Sequence, residues 1–276
     1  LDTADNWILH RLGETATEMA RLLDRYEFGE AGRTLYTFIW DEFCDWYIEL
    51  AKLSLYGDDD AAKRTTKSVL TYVLDHTLRL LHPFMPFITE EIWQHLPTTG
   101  TSISIAAWPE ATPQHHYADA AAEMTTLMNI VREVRHVRAE AGVPANKTVE
   151  LIIRPDVHHL PVVERGQAYI ERLAKVDKLT IDPEADRPDK AMSAVVSGAE
   201  LYLPLAGLID IEKELSRLHK ELETLDQEVA RVEKKLANTG FVAKAPQHVV
   251  DAERRKGDDY RAKREKVLER IANLSG

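Results

Sequence analysis

The sequence predicts a mainly α protein: a helical bundle, then a small α/β unit, then a C-terminal antiparallel coiled-coil hairpin. Three observations carry that reading. Apolar residues recur every three or four positions through most of the first hundred residues, β-rich runs are confined to about 148–205, and an unbroken heptad seam follows them. The 276 residues divide accordingly into 1–116, 117–206 and 207–276. At 31.3 kDa the chain is long enough for each part to bury a core.

From Asp5 to about Tyr26 the apolar residues Ile8, Leu12, Ala16, Met19, Leu22, Leu23 and Tyr26 form one face of a helix, with Thr3 or Asp5 available as N-cap. A second helix is expected from about Phe28 to Leu55, through Leu35, Phe38, Ile39, Phe43, Trp46 and Leu50, with Gly57 as its C-cap. A third runs from about Ala61 to Leu81 and stops at His82-Pro83, because the residue before proline avoids the α region. A short fourth follows Pro86 with Ile88, Ile92, Trp93 and Leu96. Four amphipathic helices on short turns bury their stripes most simply as a bundle. Residues 97–116 have the prolines and threonines of a connection, with an extended patch at Ser102–Ala107.

A helix from Ala118 to Ala141 places Leu127, Ile130, Val131, Val134 and Val137 on one side and Arg132, Arg135, His136 and Arg138 over another, ending at Gly142 and Pro144. Strands are expected at Thr148–Arg154, Lys178–Ile181, Ala194–Val196 and Glu200–Leu205, with a helix from about Gly166 to Val176. No glycine-rich loop follows these strands, which argues against a Rossmann or Walker nucleotide site.

The strongest period lies in the last segment, where Leu208, Ile211, Leu215, Leu218, Leu222, Leu225, Val229, Val232 and Leu236 alternate three and four apart. Asn238-Thr239-Gly240 breaks the seam and a loop through Pro246 reverses the chain. The return helix from about Gln247 carries Val250, Tyr260, Val267, Ile271 and Leu274. Each arm of about 30 residues projects roughly 45 Å at the helical rise. Glu253, Gly257 and Arg264 occupy return positions where apolar residues are expected, and Gly257 predicts a softer helix, by about 1 kcal/mol relative to alanine.

Composition narrows the function. No window is apolar enough to span a membrane and no basic-then-apolar leader opens the chain, which begins at Leu1 and reads as a fragment. The one cysteine, Cys44, is compatible with a reducing, cytoplasmic location. A net charge of −11 argues against indiscriminate polyanion binding, yet residues 231–270 hold 12 basic against 7 acidic side chains. His115-His116, His158-His159, Asp58-Asp59-Asp60 and the Asp41/Glu42/Asp45 group lack the spacing of a metal or acid–base site and read as solvated or salt-bridged surface. The residues point to neither a metal nor a catalytic group.

The aromatic run Tyr36-Thr37-Phe38-Ile39-Trp40-Asp41-Glu42-Phe43-Cys44-Asp45-Trp46-Tyr47, with Leu81-His82-Pro83-Phe84-Met85-Pro86-Phe87-Ile88-Thr89-Glu90-Glu91-Ile92-Trp93, resembles the anticodon-binding bundle of class I aminoacyl-tRNA synthetases. The stretch Trp40–Tyr47 is similar to the valine-specific members, and the loop Gly240-Phe241-Val242-Ala243-Lys244-Ala245-Pro246 to the tip of their C-terminal arm. The resemblance covers nearly the whole chain from Asn6. It implies a bundle that reads the anticodon stem-loop and an arm that reaches the tRNA elbow. The catalytic and editing domains would be partners within the same parent chain. The parent enzyme would use ATP and magnesium to join valine to its tRNA, whereas this chain, without the His-Ile-Gly-His and Lys-Met-Ser-Lys-Ser signatures, needs no cofactor and should be inactive alone.

Phosphate contacts by Lys and Arg orient an RNA, and unstacked loop bases give sequence specificity. On the bundle side the candidates are Trp7, Arg11, Arg132, Arg135, Arg138 and Lys147; on the arm they are Arg231, Lys234, Lys235, Lys244, Arg254, Arg255 and Lys256. Without the resemblance, helix-surface arginines read as solvated or weakly paired, Trp7 as core packing, and the arm charges as those flanking any coiled-coil seam. The partner expected is a valine-accepting tRNA bound by a monomer. The rival readings are the isoleucine or leucine enzyme, against which the loop speaks, and a coiled-coil interaction module whose seam pairs with a second chain.

Overall fold

The structure, a computed structural model, describes residues 1–97, 100–205, 211–238, 240–241 and 246–275, with the backbone alone for 211–214 and 273–275. It is mainly α with one small mixed sheet, and it divides into two compact units, Leu1–Asn129 with Arg165–Leu173 and Ile130–Glu164 with Ala174–Gly276.

In the first unit α1 spans Thr3–Asp24 and buries Trp7, Ile8, Leu12, Ala16, Met19 and Leu22. Its N-cap is Asp2 rather than Thr3 or Asp5: the Asp2 carboxylate accepts the Asp5 N–H at 2.7 Å while Asp5 reaches back to the Asp2 N–H at 3.3 Å, a reciprocal box that satisfies two orphan donors. The run expected from Phe28 to Leu55 is continuous but changes pitch. It consists of α2 (Phe28–Thr37), a π-helical stretch (Phe38–Tyr47) and α3 (Ile48–Leu55). The wider winding, closed by an Ile48 N–H to Phe43 carbonyl bond, accompanies burial of Phe38, Phe43, Trp46 and Tyr47 together. The helix then ends at Tyr56 without the left-handed glycine expected at Gly57.

Tyr47 is fully buried and donates to Asp5 at 2.6 Å, a polar pair inside the bundle. Burial first, and then the nearby Asp2, push the Asp5 carboxyl above its usual value, and burial raises the Tyr47 phenol as well. α4 (Asp60–Leu81) is capped by Asp59, and α5 (Pro86–Gln94) starts on proline, whose missing N–H costs nothing at a helix start. Leu78, Trp93 and Ile103 form a small core between them, flanked by Leu74, Leu96 and Ala106. The segment expected to be extended at Ser102–Ala107 contains a 3₁₀ turn, Ile103–Ile105. The Glu90 carboxylate accepts from Ser102 Oγ at 2.7 Å and from the Ile103 N–H at 3.2 Å, which favours the tight turn over an extended chain.

In the second unit the last turns of α6 (Ala118–Glu140) bury Ile130, Val131, Val134 and Val137. The helix stops at Gly142, whose φ of +70° only glycine adopts readily, while the Val143 N–H returns to the Arg138 carbonyl at 3.0 Å. The strands β1 (Val149–Pro155), β2 (Val176–Ile181), β3 (Ala191–Val196) and β4 (Ala199–Pro204) form a sheet in the order β2-β1-β4-β3. β1 and β2 are parallel and the other pairs antiparallel. Between β1 and β2 the chain forms two short helices, α7 (Leu160–Arg165) and α8 (Gln167–Ala174), where one was expected. β3 and β4 turn at Ser197-Gly198, both at positive φ, the geometry that matches strand twist.

The heptad seam folds as α9 (Ile211–Ala237) against α10 (Gln247–Ser275) within one chain. Leu218, Leu225 and Val232, seven apart, are buried, as are Val250 and Val267 on the return helix. Leu208 lies outside the described residues, as do the side chains of Ile211 and Leu274. In the first unit Asp75 accepts from the Trp93 indole at 2.6 Å and also pairs with Arg79 and, at 3.3 Å, with His76. Burial works to raise its pKa, but hydrogen bonds from His76, Arg79 and Trp93 outweigh it and hold the carboxyl at about 2, below the ordinary 3.8. A depressed carboxyl stabilises the fold above its unfolded value and loses that contribution as the pH falls toward its folded one. Replacement Asp75→Asn should therefore cost about 2 kcal/mol at neutral pH and flatten the stability profile between about pH 4 and 2, measured by urea unfolding across that range.

Candidate nucleic-acid interface

The side chains expected to face RNA separate into those that reach solvent and those that the fold consumes. Trp7 belongs to the second group: it is 3% exposed within the buried stripe of α1. Arg11 is half-buried, and its guanidinium makes two parallel 2.8 Å bonds to Glu42 in the π-helical stretch and a further pair with Glu14. The hydrogen bond to Glu42 holds the arginine charged and in place, so its planar fork serves as a tie between elements rather than as a phosphate ligand.

Arg138 departs furthest from expectation. Its neighbours Arg132 and Arg135 on α6 are exposed, but Arg138 is 6% exposed. Its Nη1 donates to the carbonyls of Ala174 (2.7 Å) and Lys175 (2.9 Å), and its Nη2 to those of Lys147 (2.5 Å) and Pro144 (3.5 Å). Burial, and then the Arg135 charge, lower its pKa, yet an arginine remains charged there. The helical spacing that predicted a basic face missed this because position 138 shares the inner side of α6 with Val134 and Val137. Lys147, half-buried, gives its carbonyl to Arg138. The exposed charges on this side are thus Arg132 and Arg135, with Lys147 beside them in sequence after the turn.

On the arm, antiparallel pairing brings together two basic runs that lie about twenty residues apart in sequence. Arg231, Lys234 and Lys235 near the end of α9 meet Arg254, Arg255 and Lys256 near the start of α10. All six are exposed. Arg231 pairs with Glu228 at 2.8 Å, Arg254 loosely with Asp251 at 3.9 Å, and Lys235 with Glu253 at 2.8 Å while its ammonium sits 5.0 Å from the Phe241 ring. The Lys256 ammonium lies 5.7 Å from the Tyr260 ring. Exposed pairs of this kind are worth little and exchange readily for a phosphate partner. Lys244 lies outside the described residues.

Three return-helix residues that break the apolar pattern each meet a defined partner. Glu253 bonds Lys235, and Arg264 Nε donates to Asp226 at 2.5 Å. Gly257 is buried opposite Val232: an added Cβ would stand 3.0 Å from Val232 Cγ1, closer than packed carbons normally come. The glycine therefore sets the distance between the helices and is not simply a soft point. These ties fix the register that aligns the two basic runs.

Comparison with known proteins gives a family for each end of the chain. Residues 5–153 match the model of the anticodon-binding domain of tRNA ligase, and residues 210–275 that of the valyl tRNA synthetase tRNA binding arm. The chain is 58% identical over 272 residues to a valine–tRNA ligase of Geobacillus stearothermophilus, which covers 98% of this chain and 31% of that protein. It is 55% identical over 274 residues to that of Bacillus subtilis, covering 99% and 31%. The chain thus spans about a third of the length of the curated relatives it matches.

Two substitutions test the site's framework. Arg138→Ala removes the shared donor of four carbonyls, of which those of Pro144 and Lys175 keep a backbone N–H from Lys147 and Val149, and should destabilise the second unit by about 3 kcal/mol in urea titrations, with Arg138→Lys recovering less than half because an ammonium lacks the fork. Gly257→Leu should force α9 and α10 apart and cost about 1–3 kcal/mol, seen as early loss of helicity on heating.

Proposed function

Because this chain belongs to the family of anticodon-binding domains of tRNA ligases and carries a valine-type arm, we propose that it is the tRNA-recognition portion of a valine–tRNA ligase. The observation that carries the reading is the order of the two matches on one chain, together with the convergence of Arg231, Lys234 and Lys235 with Arg254, Arg255 and Lys256 at the arm's tip. An acidic chain of net charge −11 repels a polyanion everywhere except where basic groups are gathered, so the charge pattern admits RNA at chosen places.

The division of labour follows from the chemistry. Arg132, Arg135 and Lys147, at the start of the second unit, orient the anticodon stem-loop, and the arm holds backbone phosphates near the tRNA elbow. Arm contacts are to phosphate and carry no sequence information, so discrimination between tRNAs belongs to the bundle side. Attachment of valine, with its use of ATP and magnesium, belongs to the rest of the ligase, which works in the cytoplasm. The chain binds as a monomer, because α9 and α10 already bury each other's seam. Among the described residues no helix is long and apolar enough to cross a membrane.

Fluorescence titration with valine-accepting tRNA, an anticodon-substituted form and an unrelated tRNA at two salt concentrations tests this. The first should bind best and lose its advantage when the anticodon changes. Replacing Lys234, Arg255 and Lys256 together by alanine should weaken all three tRNAs alike and reduce the salt slope by about one for each charge. Absence of binding to any of the three sinks the proposal.

A further inference from the structure

The second unit carries two groups of exposed cations, Arg132 and Arg135 on α6 and those near the tip of the arm, and the foot of the arm lies between them. From Arg270 to Arg254 α10 rises about 24 Å, so a tilt of about 10° at the foot moves the tip by about 4 Å, more than a hydrogen bond spans. Whether both groups can hold one RNA depends on what sets that angle. Apolar packing sets it only in part. Met192 of β3, Leu218 of α9 and Val267 of α10 are buried where α10 meets β3, but they line a cavity of about 400 Å³ rather than closing it. A void offers its lining no partner atoms, so dispersion contacts alone leave the tilt soft.

Arg270, one turn beyond Val267, lines the same cavity and reaches the end of α6. Its guanidinium stands against Gly142, where that helix stops: a Cβ on Gly142 would lie 3.4 Å from Arg270 Nη2. The φ of +70° already calls for glycine at this position, and the missing side chain also leaves the guanidinium its room. The last carbonyls of a helix carry partial negative charge, which favours a cation beside them. Glu140, in the last turn of α6, lines the cavity with Arg270. One planar cation thus joins α10 to the end of the helix that carries Arg132 and Arg135.

We infer that Arg270 is a positioning residue for tRNA binding: it fixes the angle between the arm and α6, so that the two basic groups meet the RNA at a preset spacing. The inference rests on the reading above that both groups contact tRNA. A preset spacing lowers the ordering cost of the second contact and raises its effective concentration, so a loosened foot weakens binding although no contact to RNA is removed. Arg270 itself is a poor phosphate ligand. It is half-buried, and Glu140, Glu221 and Glu269 share its cavity and repel an anion.

Pulsed electron paramagnetic resonance on the chain without tRNA reads the angle as a distance, with spin labels at the exposed positions Ala139→Cys on α6 and Ala230→Cys on α9 in a Cys44→Ser background. The parent should give one narrow distance distribution, Arg270→Ala should widen it about twofold, and Arg270→Lys, which keeps the cation, should restore most of the narrowness. In titrations with valine-accepting tRNA, Arg270→Ala should bind about three- to tenfold more weakly with an unchanged salt slope, whereas loss of a phosphate ligand lowers the slope by about one. Should Arg270→Ala prove unfolded in urea titrations, Arg270→Gln, which keeps the length of the side chain without its charge, is read in its place. Four results each overturn the inference: a broad distribution in the parent, an unchanged width in the variant, widening without loss of tRNA affinity, or a salt slope lowered by about one. The distances are measured without RNA, so a parent chain that binds no tRNA sinks the reading of function while the foot of the arm is still reported on its own.

Discussion

A buried guanidinium organises the second unit. Arg138 takes the carbonyls of Pro144 and Lys147 on the approach to β1 and those of Ala174 and Lys175 on the approach to β2. The two strands run parallel side by side, and a parallel pair has no hairpin turn to set where it starts. One side chain at the end of α6 supplies that reference for both. The Lys175 ammonium on the Ala145 carbonyl at 2.7 Å and Thr148 Oγ1 on Asp177 at 2.6 Å tie the same two approaches together. A buried charge is tolerated because its donors are spread over several carbonyl dipoles, which together do what a carboxylate would.

The first unit uses buried polar groups in the same way. Asp5 sits at the start of α1 and Tyr47 at the end of the π-helical stretch, 42 positions later, so their hydrogen bond fixes one helix against another where apolar contacts alone would let them slide. Asp75 does the equivalent for α4 and α5 through the Trp93 indole. Arg11 and Glu42 add a bidentate tie at the margin of the core. Of these, Arg11 reads in the sequence as an RNA-contact candidate, Glu42 as solvated or salt-bridged surface and Asp5 as an N-cap; in the fold they set register.

In the arm, specificity and stability come from different residues. Leu218, Leu225, Val232, Val250 and Val267 supply the burial, which any offset by a heptad would preserve in part. The pairs Lys235–Glu253, Val232–Gly257 and Asp226–Arg264 permit one offset, because a shift sets a glycine gap against a small contact and leaves charges opposite apolar groups. The basic tip is a consequence of that register: two runs of three cations form one surface when 231–235 faces 253–257.

Periodicity along the chain located the long helices, most of each strand and the hairpin, and the motifs carried the family resemblance, while the π winding of Phe38–Tyr47 and the split of α7 from α8 were not legible there. Apolar spacing reports secondary structure locally, and the runs Trp40–Tyr47, His82–Trp93 and Gly240–Pro246 are long enough to identify relatives. The sequence also placed the excess of basic residues at the arm. The roles of individual charges emerge only from the packing. Helical spacing puts Arg138 on the side of Val131 and Val134 and Arg132 on the other, but the carbonyls that take a charge on the inner side lie up to 37 positions away. Spacing cannot show that Gly257 meets Val232 or that Arg11 is held by Glu42. A side chain's charge and shape are written in the sequence, but whether they face solvent, a carbonyl or a partner is a property of the packing.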